Sequence, residues 1–145
     1  KKGLYEEAIV NARRAIDLSN DELGGHRALA LALLMKAKRD NNPEDLKTAI
    51  AEFHTILQSE SDDDAAHHHL AEALELSGDD AGALAEGKKA VQDNPDNLVA
   101  RKLVARLLID SGDKDGASAE LKTVIQKDPT DAEARKLQSS LAGTP

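Results

Sequence analysis

The sequence predicts an all-α fold built from repeated antiparallel helix pairs, about eight helices in all. Three observations predict it. The chain repeats with a period of 34 residues: laying 64–97 over 98–131 gives 13 identities, among them Ala71/Ala105, Gly78/Gly112, Ala83/Ala117 and Pro95/Pro129. Apolar residues inside each unit recur at helical spacing, as in Leu70, Ala71 and Leu74. Breakers fall between the apolar runs, with SGD at 77–79 and 111–113, and DNP or DP before 96 and 130. Aromatic residues are 1% of the 145, so Leu, Ala, Ile and Val must build the core.

The elements follow in order. GLYEEAIVNARRAIDLS predicts a first helix over 3–18, and a second runs over 22–39. Asn42-Pro43-Glu44 reads as a cap followed by Pro at the first helical position, which starts a third helix over 43–59. The next two span 64–76 and 80–93, with Gly78 ending one and Asp79 capping the other. Their repeats span 98–110 and 114–127, and a last helix runs over 131–142. Matching 22–63 to the later units requires about seven extra residues near 36–43. Arg135, Lys136, Gln138, Ser139 and Ser140 make the last helix polar enough to cap an exposed stack end.

Composition narrows function. The net charge of -8 argues for solubility and against polyanion binding, because phosphate neutralisation needs a basic surface. No nucleic-acid partner is therefore expected. The absence of cysteine excludes disulfide and thiolate chemistry within the chain. No run of residues is apolar enough to insert into a membrane. No nucleophile elbow, phosphate loop or paired His–carboxylate motif is visible, so no enzyme activity and no cofactor are expected. The opening KKGLYEEA, without Met, reads as the start of a piece of a longer protein.

The stretch SDDDAAHHHLAEALELSGDD, 61–80, raises a metal site and then argues against it. Consecutive helical residues point about 100° apart, so His67, His68 and His69 cannot all hold one ion. His67 shares the apolar stripe of Leu70 and Leu74 and is expected to be a half-buried packing residue. Asp63 precedes a helix as Asn97 and Asp131 do, which is N-cap chemistry. No metal is expected.

SGD followed by AGALAEGKKAVQDNP, and SGD followed by GASAELKTVIQKDP, resemble tetratricopeptide repeats. Gly78 and Gly112 match the family's inter-helix turn, Ala71, Ala105, Ala83 and Ala117 its small crossing residues, and Pro95 and Pro129 its terminators. Tyr5, Ala8 and Ala15 match its second helix. The family's usual aromatics in the first helix are absent, and His26, His67 and Arg101 hold one of those positions. The resemblance implies an α-solenoid, a right-handed superhelix of antiparallel helix pairs. It would divide into 1–21 (second helix of a partial repeat), 22–63 (extended repeat), 64–97, 98–131, and a capping helix over 132–145.

The resemblance also implies a function: a non-enzymatic module that binds a peptide or protein segment in a concave groove, as scaffold or adaptor. The family's groove-facing positions fall on Arg27, Leu31, Leu34 and Met35, then Ala65, His68, Glu72, Glu75 and Leu76. They continue through Val99, Lys102, Arg106, Ile109 and Asp110 to Glu133, Lys136 and Ser140. Lys102 and Arg106 are i, i+4 neighbours that can point together at a carboxylate, so an acidic or C-terminal carboxylate partner is expected. One branch of the family clamps chaperone-tail carboxylates with Lys and Asn, then Asn, then Lys and Arg. Here those places hold Arg27 and Leu31, His69, and Val99 and Leu103, and only Arg27 matches. The alternative is a structural role. Leu4, Ile9 and Ile16 on the unpaired first helix would be exposed and could pair two copies as a homodimer. A docking arm of a larger membrane-associated or enzymatic protein is a further alternative.

Overall fold

The computed structural model describes residues 2–18 and 22–143. These form eight helices and no strand: α1 (Lys2–Asp17), α2 (Glu22–Asp40), α3 (Pro43–Ser59), α4 (Asp64–Ser77), α5 (Asp80–Asp93), α6 (Leu98–Asp110), α7 (Lys114–Lys127) and α8 (Ala132–Ala142). The boundary expected at 21/22 touches residues outside those described. Each helix packs mainly on its neighbours in sequence, and α2 also touches α4. That is the contact pattern of a linear stack rather than of a closed bundle.

The boundaries form for the expected reasons. Asp63, Asn97 and Asp131 cap α4, α6 and α8, their side-chain oxygens accepting from the amides of Ala66, Ala100 and Ala134 at 3.0, 2.9 and 2.8 Å. Asp79 and Asp113 cap α5 and α7 by accepting from Gly82 and Gly116. A Cβ at Gly82 or Gly116 would collide with the capping carboxylate, which accounts for glycine in both repeats. Gly78 and Gly112 sit at φ 85° and 86°, where a side chain is strained.

The core is aliphatic and small. Ala71, Ala83, Ala105 and Ala117 are fully buried at the helix crossings, and Leu70, Leu121, Phe53 and Ile56 fill between them. Each helix pair also carries a charged link from its first helix to its second: His26 to Glu52, His67 to Glu86, and Arg101 to Glu120. His67 is thus fully buried rather than half-buried, with ring nitrogens 2.6 Å from Glu86 Oε2 and 3.0 Å from the Ser61 carbonyl oxygen.

The same links locate the extension. His67–Glu86 and Arg101–Glu120 are 19 residues apart, whereas His26–Glu52 is 26 apart, a difference of seven. From His26, α2 continues 14 residues to Asp40, against 10 from His67 to Ser77. The other three residues lengthen the start of α3. The insertion is therefore about one extra turn on each helix of one antiparallel pair, not a loop. Lys36–Asp45 ties the two added turns together, and Arg39 ties them to α1 through Glu6 and the face of Tyr5, 5.1 Å away. Beyond the shorter α4, the overhang walls a cavity of about 500 Å³ between Ala37, Leu46, Ile50 and Leu76, with Lys38 and Lys47 at its edge.

The first helix is covered more than its sequence suggests. Ile9 is buried and Ile16 packs on the same core, so neither is the exposed apolar residue expected. Leu4, Val10 and Leu18 are the exposed ones, at 63%, 64% and 58%.

Candidate binding groove

The first helices of the pairs share a face. A cavity of about 80 Å³ is lined by His68 and Glu72 of α4, Val99, Lys102, Leu103 and Arg106 of α6, and Glu133 of α8. No residue of α5 or α7 enters it. A second of similar size joins Arg27 and Leu31 of α2 to Ala65, Ala66 and His69 of α4, floored by Phe53 and Ile56.

Ion pairs bridge one first helix to the next along this face. Arg27 of α2 pairs with Glu60 and Asp63, just ahead of α4. Lys38 Nζ is 2.9 Å from Glu72 Oε1, and Arg106 Nη2 is 3.0 Å from Glu75 Oε2. Lys102 Nζ lies 2.9 Å from both Asp131 Oδ2 and Glu133 Oε2. These hydrogen bonds raise the Lys102 pKa. Asp131 is held below the usual carboxylate range, first by the Ala134 amide and then by Lys102. Burial alone would raise Glu72, but hydrogen bonds from His69 and Lys38 outweigh it and leave the carboxyl at about 2.

The cations expected to await an acidic ligand are thus largely engaged already. A ligand carboxylate would have to exchange with Glu60 or Glu133, both about half exposed. Lys136 is exposed on α8. Leu34 leaves the expected set: it is 1% exposed and belongs to the core, because α2 is covered on several sides by α1, α3 and α4. Ile109 is half-buried against Val104 and Leu108. Apolar exposure comes instead from Leu31 (38%), Met35 (45%), Leu76 (49%) and Val99 (59%), all on α2, α4 and α6.

His68 is 7% exposed and lines the α4/α6/α8 cavity. Its buried surroundings lower its pKa. His68, His69 and Glu72 place one ligand-capable atom each within 4.8 Å of one another. The spacing of the three histidines argues against one shared ion, but it passes over His68 and Glu72, a mixed pair at i and i+4.

Residues 76–141 match the sequence model of the family described as tetratricopeptide repeat. No curated protein matches the chain in sequence. Among solved structures the chain is similar to TTC0263, a thermophilic TPR protein in Thermus thermophilus, at 22% identity and TM-score 0.79, over 97% of this chain and 74% of that one. It is also similar to the first TPR of Spaghetti (RPAP3) bound to the HSP90 peptide SRMEEVD, at 17% identity and TM-score 0.67, over 79% and 90%. The TPR2B domain of yeast Sti1, in a complex with pHsp70, gives 18% identity and TM-score 0.64, over 78% and 95%. At these identities the likeness is one of fold.

Proposed function

We propose that this chain, whose residues 76–141 match the tetratricopeptide-repeat family, is a non-catalytic module that holds a segment of another protein against the shared face of α2, α4, α6 and α8. Its repeats are then 22–63, 64–97 and 98–131, preceded by the helix of 1–21 and closed by the capping helix of 132–145. The observation that carries this reading is the placement of exposed apolar side chains. Leu31, Met35, Leu76 and Val99 stand on successive first helices, with ion pairs between them. An extended or helical segment can bury these four while its polar groups meet Arg27, Glu72, Glu75, Lys102, Arg106 and Lys136.

Exchange of one partly exposed ion pair for another changes the free energy little, about 0–1 kcal/mol. Affinity then comes from the apolar anchors, and the charges set register and orientation. The ligand's acidic groups would face Lys102 and Arg106. The two neighbours that carry chaperone peptides support a peptide ligand in general. A chaperone tail in particular is disfavoured, since Arg27 is the lone matching clamp position and is already paired with Glu60 and Asp63.

The test is capture of partners from the native cell extract by wild type, beside the double variant Lys102→Glu with Arg106→Glu, with mass spectrometry of the eluate. A partner retained by wild type and lost by a variant of unchanged helicity supports the groove. Equal capture by both moves the site to another face. A second reading is self-association through α1, favoured by the exposure of Leu4 and Val10. It predicts a mass that rises with concentration and falls back in Val10→Asp.

A further inference from the structure

One side-chain cluster at the edge of the groove has the chemistry of a cation site. We propose that α4 holds a divalent cation of the zinc class between His68, His69 and Glu72.

Geometry comes first. Glu72 Oε2 lies 3.0 Å from His69 Nδ1 and 3.9 Å from His68 Nε2. A tetrahedral ion with bonds of about 2.0–2.1 Å needs adjacent ligand atoms about 3.3 Å apart, and the two separations bracket that distance. Two imidazoles and a carboxylate are ligands that suit zinc rather than magnesium or calcium, which prefer all-oxygen shells. Three protein ligands leave a fourth position open, and two of them, His68 and Glu72, line the α4/α6/α8 cavity.

Two of the three ligands are held by a group that the cation would not use. The His69 ring stacks on Phe53, with centroids 5.9 Å apart and planes 24° apart. Glu72 accepts from Lys38 through its other oxygen, Oε1, at 2.9 Å, so Oε2 is the oxygen that faces the two imidazoles and would exchange its contact with His69 for the ion. Outer contacts of this kind orient ligands in metal sites.

His68 supplies the independent observation. Its Nδ1 is buried without a hydrogen-bond partner, and its Nε2 comes no nearer to Glu72 than 3.9 Å. A buried imidazole that makes no hydrogen bond is costly. The repeats show why it stands alone. Arg27 and Lys102 hold the equivalent position in the other two units, and each reaches an aspartate N-cap, Asp63 or Asp131. Ahead of α6 that cap is Asn97, so this unit lacks both the cation and its acidic partner. An ion at Nε2 would give this nearly buried ring a strong interaction at the position where the other two units place their own cation, while Nδ1 keeps no partner.

The experiment titrates Zn²⁺ into the protein against a chromophoric chelator, comparing wild type, His69→Ala, Glu72→Gln and the control His54→Ala. His69 is about one-third exposed and Glu72→Gln keeps side-chain shape, so circular dichroism should report unchanged helicity for both. Wild type should bind one equivalent at micromolar affinity or tighter, without competition from Mg²⁺. His69→Ala and Glu72→Gln should each weaken binding at least about tenfold, and His54→Ala should leave it unchanged. No binding by wild type, or equal affinity in wild type and His69→Ala, or an equal loss in His54→Ala, would overturn the proposal.

Discussion

Replacing Glu72 with Gln tests whether the ion pairs between first helices stabilise the stack. Glu72 is three-quarters buried, and its pKa falls from 4.5 to about 2 because His69 and Lys38 donate to it. A fall of that size corresponds to about 3 kcal/mol, and solvent screening of a partly exposed group reduces it to about 2. The sign follows from the direction. At pH 7 the carboxylate is ionised in folded and unfolded chains alike, and its stabilisation is fully present. As pH drops below 4.5 the unfolded chain takes up a proton that the folded one refuses until about 2, so the stabilisation drains away across that window. Glu72→Gln has none to lose. Urea unfolding, followed by far-ultraviolet circular dichroism with EDTA present, should place the variant about 2 kcal/mol below wild type at pH 7. At pH 3 less than half of that gap should remain. An equal gap at both pH values, or none at pH 7, would refute the electrostatic reasoning.

Two further outcomes test the fold. Ala105→Leu adds bulk at a fully buried crossing beside Leu121, Val124 and Ala134, and should destabilise by about 1–3 kcal/mol in the same urea assay. An unchanged midpoint would remove Ala105 from the crossing. Gly112→Ala meets no atom within 4 Å, so only its φ of 86° opposes it, and the loss should be about 1–2 kcal/mol. A neutral result would place that turn in another backbone conformation.

The helix boundaries were legible because each is written in local chemistry. Gly78 and Gly112, the aspartate caps and Pro95 all act on residues within a few positions of themselves. The place of the extension was legible too, since the period breaks there. Its form was not, because no breaker stands between His26 and Asp40 to show where added residues extend a helix rather than a loop. Leu34 and Ile9 were misplaced for a different reason. A helix covered on several sides buries more than one stripe, and helical spacing alone cannot say how many neighbours it has.

The charged links divide in the same way. Repetition of Glu86 as Glu120, alongside His67 and Arg101 at one repeat position, was a readable sign of pairing within each unit. The pairs between units join residues about 29–36 positions apart, and which cation meets which carboxylate depends on how the helices stack. This is why Arg27, Lys102 and Arg106 looked free in sequence and are paired in the structure.

The central claim, that partners lie on the shared face of the first helices, is tested most directly by amide hydrogen exchange on the complex with the partner captured from extract. The account predicts new protection in α2, α4 and α6, around Leu31, Met35, Leu76 and Val99, with α3, α5 and α7 unchanged. Protection confined to the second helices, or to α1, would contradict it.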